Sequence, residues 1–409
     1  MLQKRYLTAK EAATLLEIKP ATLYSYVSRG LIRSEENDNK RRTRRYLAED
    51  VDKLKKLKEA RRQPSKVAES ALHWGDPVLE SAISLITDGR FFYRGEDALS
   101  LARSHTVESV ATLIWTGEMS SDIEASLFLA ENRTLSEQCQ TVFAQLGSVS
   151  PVEALQILLP LAATEDPVAY HTHPWTVARV GARILQRSAT IAIGGETAGE
   201  DIVDILQQGW APDAVWAKPL LNAALILCAD HELNVSAFTA RCVASAGSTP
   251  YGAVSAGLAA LQGVRHGGYS SRVEALFREI EAPEKVRSSL VNRLRLGESI
   301  PGFGQQLYPD GDPRGTLLLQ MIGEQSPQSP AYQLALKIAD ETFQLTQQHP
   351  TIDFALATLA GVLKLPPGIA ITMFALGRTI GWIGHAIEQY ETQQLIRPRA
   401  RYVGRQPVN

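Results

Sequence analysis

From residue 72 onward the chain reads as one helix after another, and that periodicity restricts its fold more than any other feature. Apolar residues recur three and four positions apart through 106–115, 152–163, 220–229, 251–261 and 370–390. This spacing lines one face of a helix, and the alanine and leucine that dominate it are strong helix formers. Alternation with a period of two is scarce, apart from a short hairpin expected over 83–94. Small residues inside the apolar runs predict helices packed close together. No fixed-period repeat or low-complexity tract is present. The expected fold class is all-α.

At 409 residues the chain exceeds one ordinary core, so two or more domains are expected. Apolar residues make up 44% and charged residues 21%, the mix of a soluble globular protein. The cysteines Cys139, Cys228 and Cys242 have no Cys-x-x-Cys spacing, which argues against a disulfide framework. No apolar run reaches the ~18–20 residues that cross a bilayer, and Met1 to Tyr6 lacks the apolar stretch of a signal peptide. A cytoplasmic protein without a membrane partner is expected. The net charge of −2 is unevenly spread: residues 1–65 hold 17 basic and 9 acidic side chains, the remainder 25 and 35. A basic head on an acidic body suggests that the head meets a polyanion, although a solubilising extension would look the same.

The head, residues 1–63, has its own pattern. Thr8 is placed as an N-cap with Glu11 three residues on, as in a capping box. Ala12, Ala13, Leu15 and Leu16 supply an apolar face. Ile18-Lys19-Pro20 makes a turn, and a second helix runs from Ala21 to Arg29 before Gly30. In such a helix-turn-helix the second helix enters the major groove, with Thr22, Tyr24, Ser25 and Arg29 on or near its outer face. A basic hairpin carrying Arg41, Arg42, Arg44 and Arg45 can reach phosphates or the minor groove. A last helix starts near Ala48. The segments LTAKEAATLLEIKPATLYSYVSRGLI and RRYLAEDVDKLKKL resemble the winged helix-turn-helix of MerR-like regulators and excisionases. That resemblance implies binding to double-stranded DNA, often as a dimer. A helical module kept for packing or protein contacts is the alternative. Residues 64–71, beginning at Pro64-Ser65-Lys66, read as a linker.

In the body, residues 72–409, polar clusters interrupt the apolar pattern. Each has a structural explanation when taken singly: His231 as a core or helix-end histidine, His266 as a helix end before a glycine turn, Asp353 as the cap of a helix starting at Phe354, and Arg378 as the partner of a buried carboxylate. His171-Thr172-His173 lacks an evident third ligand, so no metal site is expected.

Together and in order, these clusters resemble the citrate synthase family. The matching segments are SLITDGRFFYRGEDALSLA, LILCADHELNVSAFTAR, LAALQGVRHGG, PGFGQQLYPDGDPR, TIDFALATLAGV, FALGRTIGWIGHAIEQ and IRPRARYVG, spread over 83–404. The resemblance implies a large helical domain, a smaller one at roughly 268–365 that closes over substrate, and a homodimer or higher assembly. It implies condensation of an acyl-CoA, usually acetyl-CoA, with oxaloacetate to give citrate and CoA, the entry reaction of the tricarboxylic acid cycle. No permanently bound cofactor is implied, only the coenzyme A thioester as substrate. Asp353 then matches the general base and His266 the donor to the enol oxygen. His231, Arg314, Arg378 and Arg397 match positions that hold oxaloacetate, with Arg397 reaching the partner subunit's site. Pro301, Gly302, Phe303 and Gly304 match a loop lining the CoA site.

One departure bears on the chemistry. The family's histidine after Gly-Phe-Gly, which polarises the acceptor ketone, is Gln305 here. An amide donates a hydrogen bond but delivers no proton, so the catalytic position is weakened. Tyr269 and Ser270 also replace residues common after the His-Gly-Gly segment, which bears on acyl or acceptor preference. Two functions follow: a condensing synthase that also binds DNA, or a transcriptional regulator whose degenerate synthase domain senses a keto-diacid or acyl-CoA.

Overall fold

The structure, a computed structural model, describes residues 6–16, 18, 20–28, 32–36, 44–48, 50–51, 79–195, 199–280, 282–400 and 402–405. The chain divides into two compact units, Met1–Glu80 with Arg397–Asn409, and Ser81–Ile396.

In the first unit, β1 (Tyr6–Thr8) leads directly into α1 (Ala9–Leu15), followed by α2 (Pro20–Ser28), β2 (Ser34–Glu36) and β3 (Arg44–Leu47). The expected capping box is formed: the Glu11 carboxylate accepts from the Thr8 backbone N–H at 2.8 Å, and Thr8 Oγ1 accepts from the Glu11 N–H at 3.3 Å. The strands run antiparallel in the order β1-β3-β2, with Tyr6 opposite Leu47 and Glu36 opposite Arg44. Ala12, Leu16, Leu23, Ile32, Tyr46 and Val51 make a separate small core. Arg33 grips Asp50 through two bonds of 3.0 and 2.8 Å, tying the start of β2 to the helix that begins at Ala48. Two helices with a two-stranded wing are the layout expected of the head. Arg29, Gly30, Arg41, Arg42, the continuation of that last helix and the linker 64–71 lie outside the described residues.

The second unit opens with the expected hairpin, β4 (Ser84–Thr87) and β5 (Arg90–Tyr93), to which β6 (Glu96–Asp97) adds. Its two-residue turn is Asp88-Gly89 with φ of +50° and +70°, the left-handed pair that a tight hairpin demands. The rest is helical. The helices that build the site are labelled α3 (Val107–Thr116), α4 (Pro174–Ala192), α5 (Lys218–Cys228), α6 (Val235–Ser245), α7 (Pro250–Leu261), α8 (Gly268–Glu279), α9 (Pro313–Gln325), α10 (Pro330–Thr346), α11 (Ile352–Val362) and α12 (Ile369–Thr392). The five helical runs read from the periodicity all appear as helices, displaced by a residue or two at their ends.

Helix α12 packs against α3 to α8 and α11. It is buried almost all round, as a helix with apolar residues on every face must be. Its glycines allow the approach. A Cβ on Gly377 would sit 2.4 Å from the Leu225 carbonyl, and one on Gly381 would sit 2.4 Å from the Ala229 carbonyl. The Gly381 N–H instead donates to that Ala229 oxygen at 2.9 Å. The backbones of α12 and α5 therefore nearly touch where Arg378 and His231 emerge. A second group, α8, α9 and α10, packs on α11 and presents Asp353. Among the described residues no helix is long and apolar enough to cross a membrane.

Candidate active site

Asp353 stands in the first turn of α11, whose N-cap is Thr351, so Asp353 does not itself cap a helix starting at Phe354. Asp312 takes much of that work. Its Oδ2 accepts from the Ile352 N–H at 3.1 Å, while Oδ1 accepts from the Arg314 N–H at 3.1 Å at the start of α9. Two helix N-termini thus share one carboxylate, a favourable place for negative charge. The Asp353 carboxylate is left to the site. Ser270 on α8 donates to its Oδ1 at 2.5 Å. Part of the Asp353 surface stays open, yet the surrounding protein desolvates the carboxyl and pushes its pKa up from 3.8, against the pull of Ser270 and Arg314.

His266 lies in the turn between α7 and α8, with Nε2 2.8 Å from Ser236 Oγ on α6. The hydroxyl that holds this ring donates in turn to Asn234 Oδ1 at 2.7 Å. The ring plane stands edge-on to Phe374, 83° and 6.3 Å between centroids. Burial, with the Arg378 charge adding, lowers its pKa to about 4, so the imidazole is neutral at pH 7. His231 follows α5 and is buried, with Nε2 3.0 Å from Tyr308 Oη. Burial and the charges of Arg314 and Arg378 hold its pKa well below 6.5.

The two arginines differ in one decisive way. Arg314, 2% exposed, is clasped by Asp312 at 3.0 and 2.9 Å. Arg378, 1% exposed, donates from Nε to the Cys228 carbonyl at 2.8 Å and has no carboxylate at ion-pair distance among the described residues. Its guanidinium stacks over Phe374 at 4.8 Å. The Asp230 charge reaches it only at longer range, and a buried cation without a directly paired carboxylate is costly unless an anion arrives. These groups form one cluster: the Cys228 thiol, pushed up to about 12 by burial, senses Arg378 and Arg314 together with Asp353 and Asp312.

The loop 301–304 braces the start of α11, which carries Asp353. Gly302 has φ +87°, and a Cβ there would meet Val273 at 2.9 Å and Phe354 at 3.1 Å. The Gly302 carbonyl accepts from the Thr351 N–H at 2.8 Å, the Gly304 N–H donates to the His349 carbonyl at 3.0 Å, and Phe303 packs on Phe354 at 4.8 Å. Pro301 is buried and Gly304 exposed. Gln305 is half-buried, and its side chain makes no hydrogen bond among the described residues.

Sequence reasoning missed the support behind His231. Asp230 accepts from Ser84 Oγ at 2.5 Å and lies 3.1 Å from His385 Nε2 on α12. Burial opposes its ionisation, but His385, Arg378 and the Ser84 hydroxyl hold it below the ordinary carboxylate range. Tyr308 was also missed as a site group, and Ser270 was noted only as a departure from the family pattern, not as the donor to Asp353. Arg397 is exposed, beyond the end of α12 and in the other compact unit.

On the head, Tyr24 is 55% exposed on α2 and Thr22 half-buried. Arg44 is exposed on β3, and the Arg45 guanidinium lies 5.0 Å over the Tyr6 ring. The Ser25 side chain, Arg29, Arg41 and Arg42 lie outside the described residues.

The model of the citrate synthase C-terminal domain matches residues 72–399. The chain belongs to the citrate synthase family. A helix-turn-helix domain matches residues 6–56. The citrate synthase of Haloferax volcanii is 29% identical over 362 residues, 81% of this chain and 95% of that protein. The 2-methylcitrate synthase of Shewanella oneidensis is 26% identical, covering 81% and 94%. The citrate synthase of Thermoplasma acidophilum, solved with carboxymethyl coenzyme A and oxaloacetate, shares the fold, with a TM-score of 0.75 at 24% identity over 83% of this chain and 97% of that one. The citrate synthase family takes a coenzyme A thioester as substrate and holds no permanent cofactor.

Proposed function

We propose that the body condenses an acyl-CoA, acetyl-CoA first among candidates, with oxaloacetate to give citrate and CoA. The observation that carries this reading is the buried Arg378, without a carboxylate at ion-pair distance among the described residues, in one electrostatic cluster with Arg314, neutral His231 and Asp353. Two guanidiniums suit a dianion, because each planar fork grips a carboxylate. Asp353 removes a proton from the acyl methyl carbon. The Ser236 hydroxyl donates to Asn234 Oδ1 at 2.7 Å, so His266 offers a proton on Nδ1 to the enolate oxygen once that hydroxyl turns to Nε2. The enol carbon then attacks the ketone, and hydrolysis of the thioester releases CoA. The loop 301–304 lines the CoA site in this reading, and closure of a smaller domain at roughly 268–365 shuts out water. Arg397, exposed in the monomer, completes the site of a partner subunit, which makes the working form a homodimer. The unpaired cysteines fit a reducing cytoplasm. The test is thiol release from acetyl-CoA, and then propionyl-CoA, that depends on oxaloacetate. Its absence with both thioesters would sink the reading.

The pH dependence follows from the two titrating groups. Asp353 must be ionised, and its pKa is raised, so kcat/KM should climb with pH along a limb above the ordinary aspartate value. His266 is already neutral above about 4 and does not set that limb. A flat profile down to pH 4 would remove Asp353 from the role of base.

The head binds double-stranded DNA in this proposal. The winged layout, exposed Tyr24 on α2 and exposed Arg44 on the wing support it. Arg44→Ala should weaken binding to all sequences alike and lower the slope of log K against log salt by about 1. An unchanged slope would take Arg44 off the phosphate backbone.

A further inference from the structure

The condensation proposed above makes one demand that its assigned groups do not meet. As the carbon–carbon bond forms, the acceptor's ketone oxygen becomes an alkoxide and must gain a proton. Arg314 and Arg378 donate hydrogen bonds but do not give up protons in proteins. His231, held neutral, would have to become an anion to release one. The Gln305 amide is no acid, and its side chain is not anchored by any hydrogen bond among the described residues.

Tyr308 is placed differently. The turn in which its N–H donates to the Gln305 carbonyl at 3.0 Å carries the chain back inward, and its side chain is only 3% exposed. Its hydroxyl lies 3.0 Å from His231 Nε2, its ring 5.6 Å from the His231 ring, and the Arg314 guanidinium 5.8 Å from its centroid. The phenol therefore stands between two of the groups assigned to the acceptor. Tyr93, the other buried phenol near these groups, is engaged with the Ile226 carbonyl and the Asp230 N–H, at 2.8 and 3.2 Å.

We infer that Tyr308 hydrogen-bonds the acceptor's ketone oxygen and delivers its proton as the new bond forms. This assignment rests on the synthase reading. Asp353 takes the methyl proton; the enolate, its oxygen held by a hydrogen bond from His266 that keeps its proton, uses its electron pair to bond the ketone carbon; the carbonyl π pair moves to oxygen, which takes the Tyr308 proton. The phenolate left behind recovers a proton from protonated Asp353 through water in the site, so both residues return to their starting states. Burial pushes the phenol up to about 12, which keeps it protonated at neutral pH yet more acidic than an alcohol, and the Arg314 charge favours the brief phenolate.

Tyr308→Phe removes one oxygen and keeps the ring. The thermal midpoint should stay near that of the parent chain. For oxaloacetate plus acetyl-CoA, kcat should fall by about 10²–10³, the usual loss for an oxyanion-type donor, with the oxaloacetate KM changed less than about threefold. Exchange of acetyl-CoA methyl protons with D₂O, measured with malate as an unreactive acceptor mimic, involves no ketone and should persist within about threefold. A raised KM with intact kcat would show that Tyr308 merely orients His231 and would overturn the assignment. So would parallel loss of exchange and condensation, the mark of general damage to the site. If the parent chain itself releases no thiol, the synthase reading fails first and this assignment falls with it.

Discussion

Asp353→Asn should lower oxaloacetate-dependent thiol release by about 10²–10⁴, the range that a positioned general base contributes, while the fold loses nothing. The side chain is nearly isosteric, and an amide oxygen can still accept from Ser270. The expectation on stability comes from linkage. The pKa of Asp353 is raised in the folded chain by desolvation, so folding favours its protonated form. Its contribution is fully present below the unfolded pKa and is lost as pH rises through the folded pKa. At neutral pH the native carboxylate is therefore a burden that asparagine does not carry. The variant should melt no lower than the parent at pH 7, and the difference should shrink as the pH is brought down towards 4. Activity within about threefold of the parent would dismiss Asp353 as the base. A lower midpoint at pH 7 would show that its carboxylate is structural, held by Ser270 for packing rather than kept for proton transfer.

How much of this was legible in the residues depends on the range of the interaction that reveals it. The helices were legible because a 3.6-residue period is local, and so were the Thr8–Glu11 capping box and the hairpin over 83–94. The site was not legible from spacing. His231, His266, Arg314, Asp353 and Arg378 come from separate stretches of chain, and each alone reads as a core histidine, a cap or a buried pair. What distinguishes Arg378 from an ordinary paired arginine is the lack, among the described residues, of a carboxylate at ion-pair distance, and that appears only when α12 is laid against α5 through Gly377 and Gly381. Family resemblance supplied those five positions. It assigned no role to Tyr308, although that residue lies within the matching segment PGFGQQLYPDGDPR and looks like one more core aromatic until its hydroxyl is found on His231. Asp230 and His385 stayed hidden for the same reason: their partners are 146 and 155 positions away in the chain.

The second large effect is expected at Asp312, which touches no substrate in the proposed reaction. Asp312 is 1% exposed and accepts from the Arg314 N–H, Nε and Nη2 and from the Ile352 N–H. Asp312→Ala would strand the buried Arg314 charge, which cannot escape by deprotonation. It would also leave N–H groups at the starts of α9 and α11 without their acceptor. Breaking a buried pair from one side costs about 3–5 kcal/mol, and urea unfolding at pH 7 would read it directly. Asp312→Ala combined with Arg314→Met should recover much of that loss, because the uncompensated charge goes with its partner. Activity should not recover with it, since the proposed acceptor site would then lack one guanidinium and α11 would still miss the bond at Ile352 that seats Asp353. Recovery of both stability and turnover in the double variant would mean that Arg314 serves only the fold. A loss below about 1 kcal/mol in the single variant would mean that water reaches Arg314 and that the site is wetter than its burial implies.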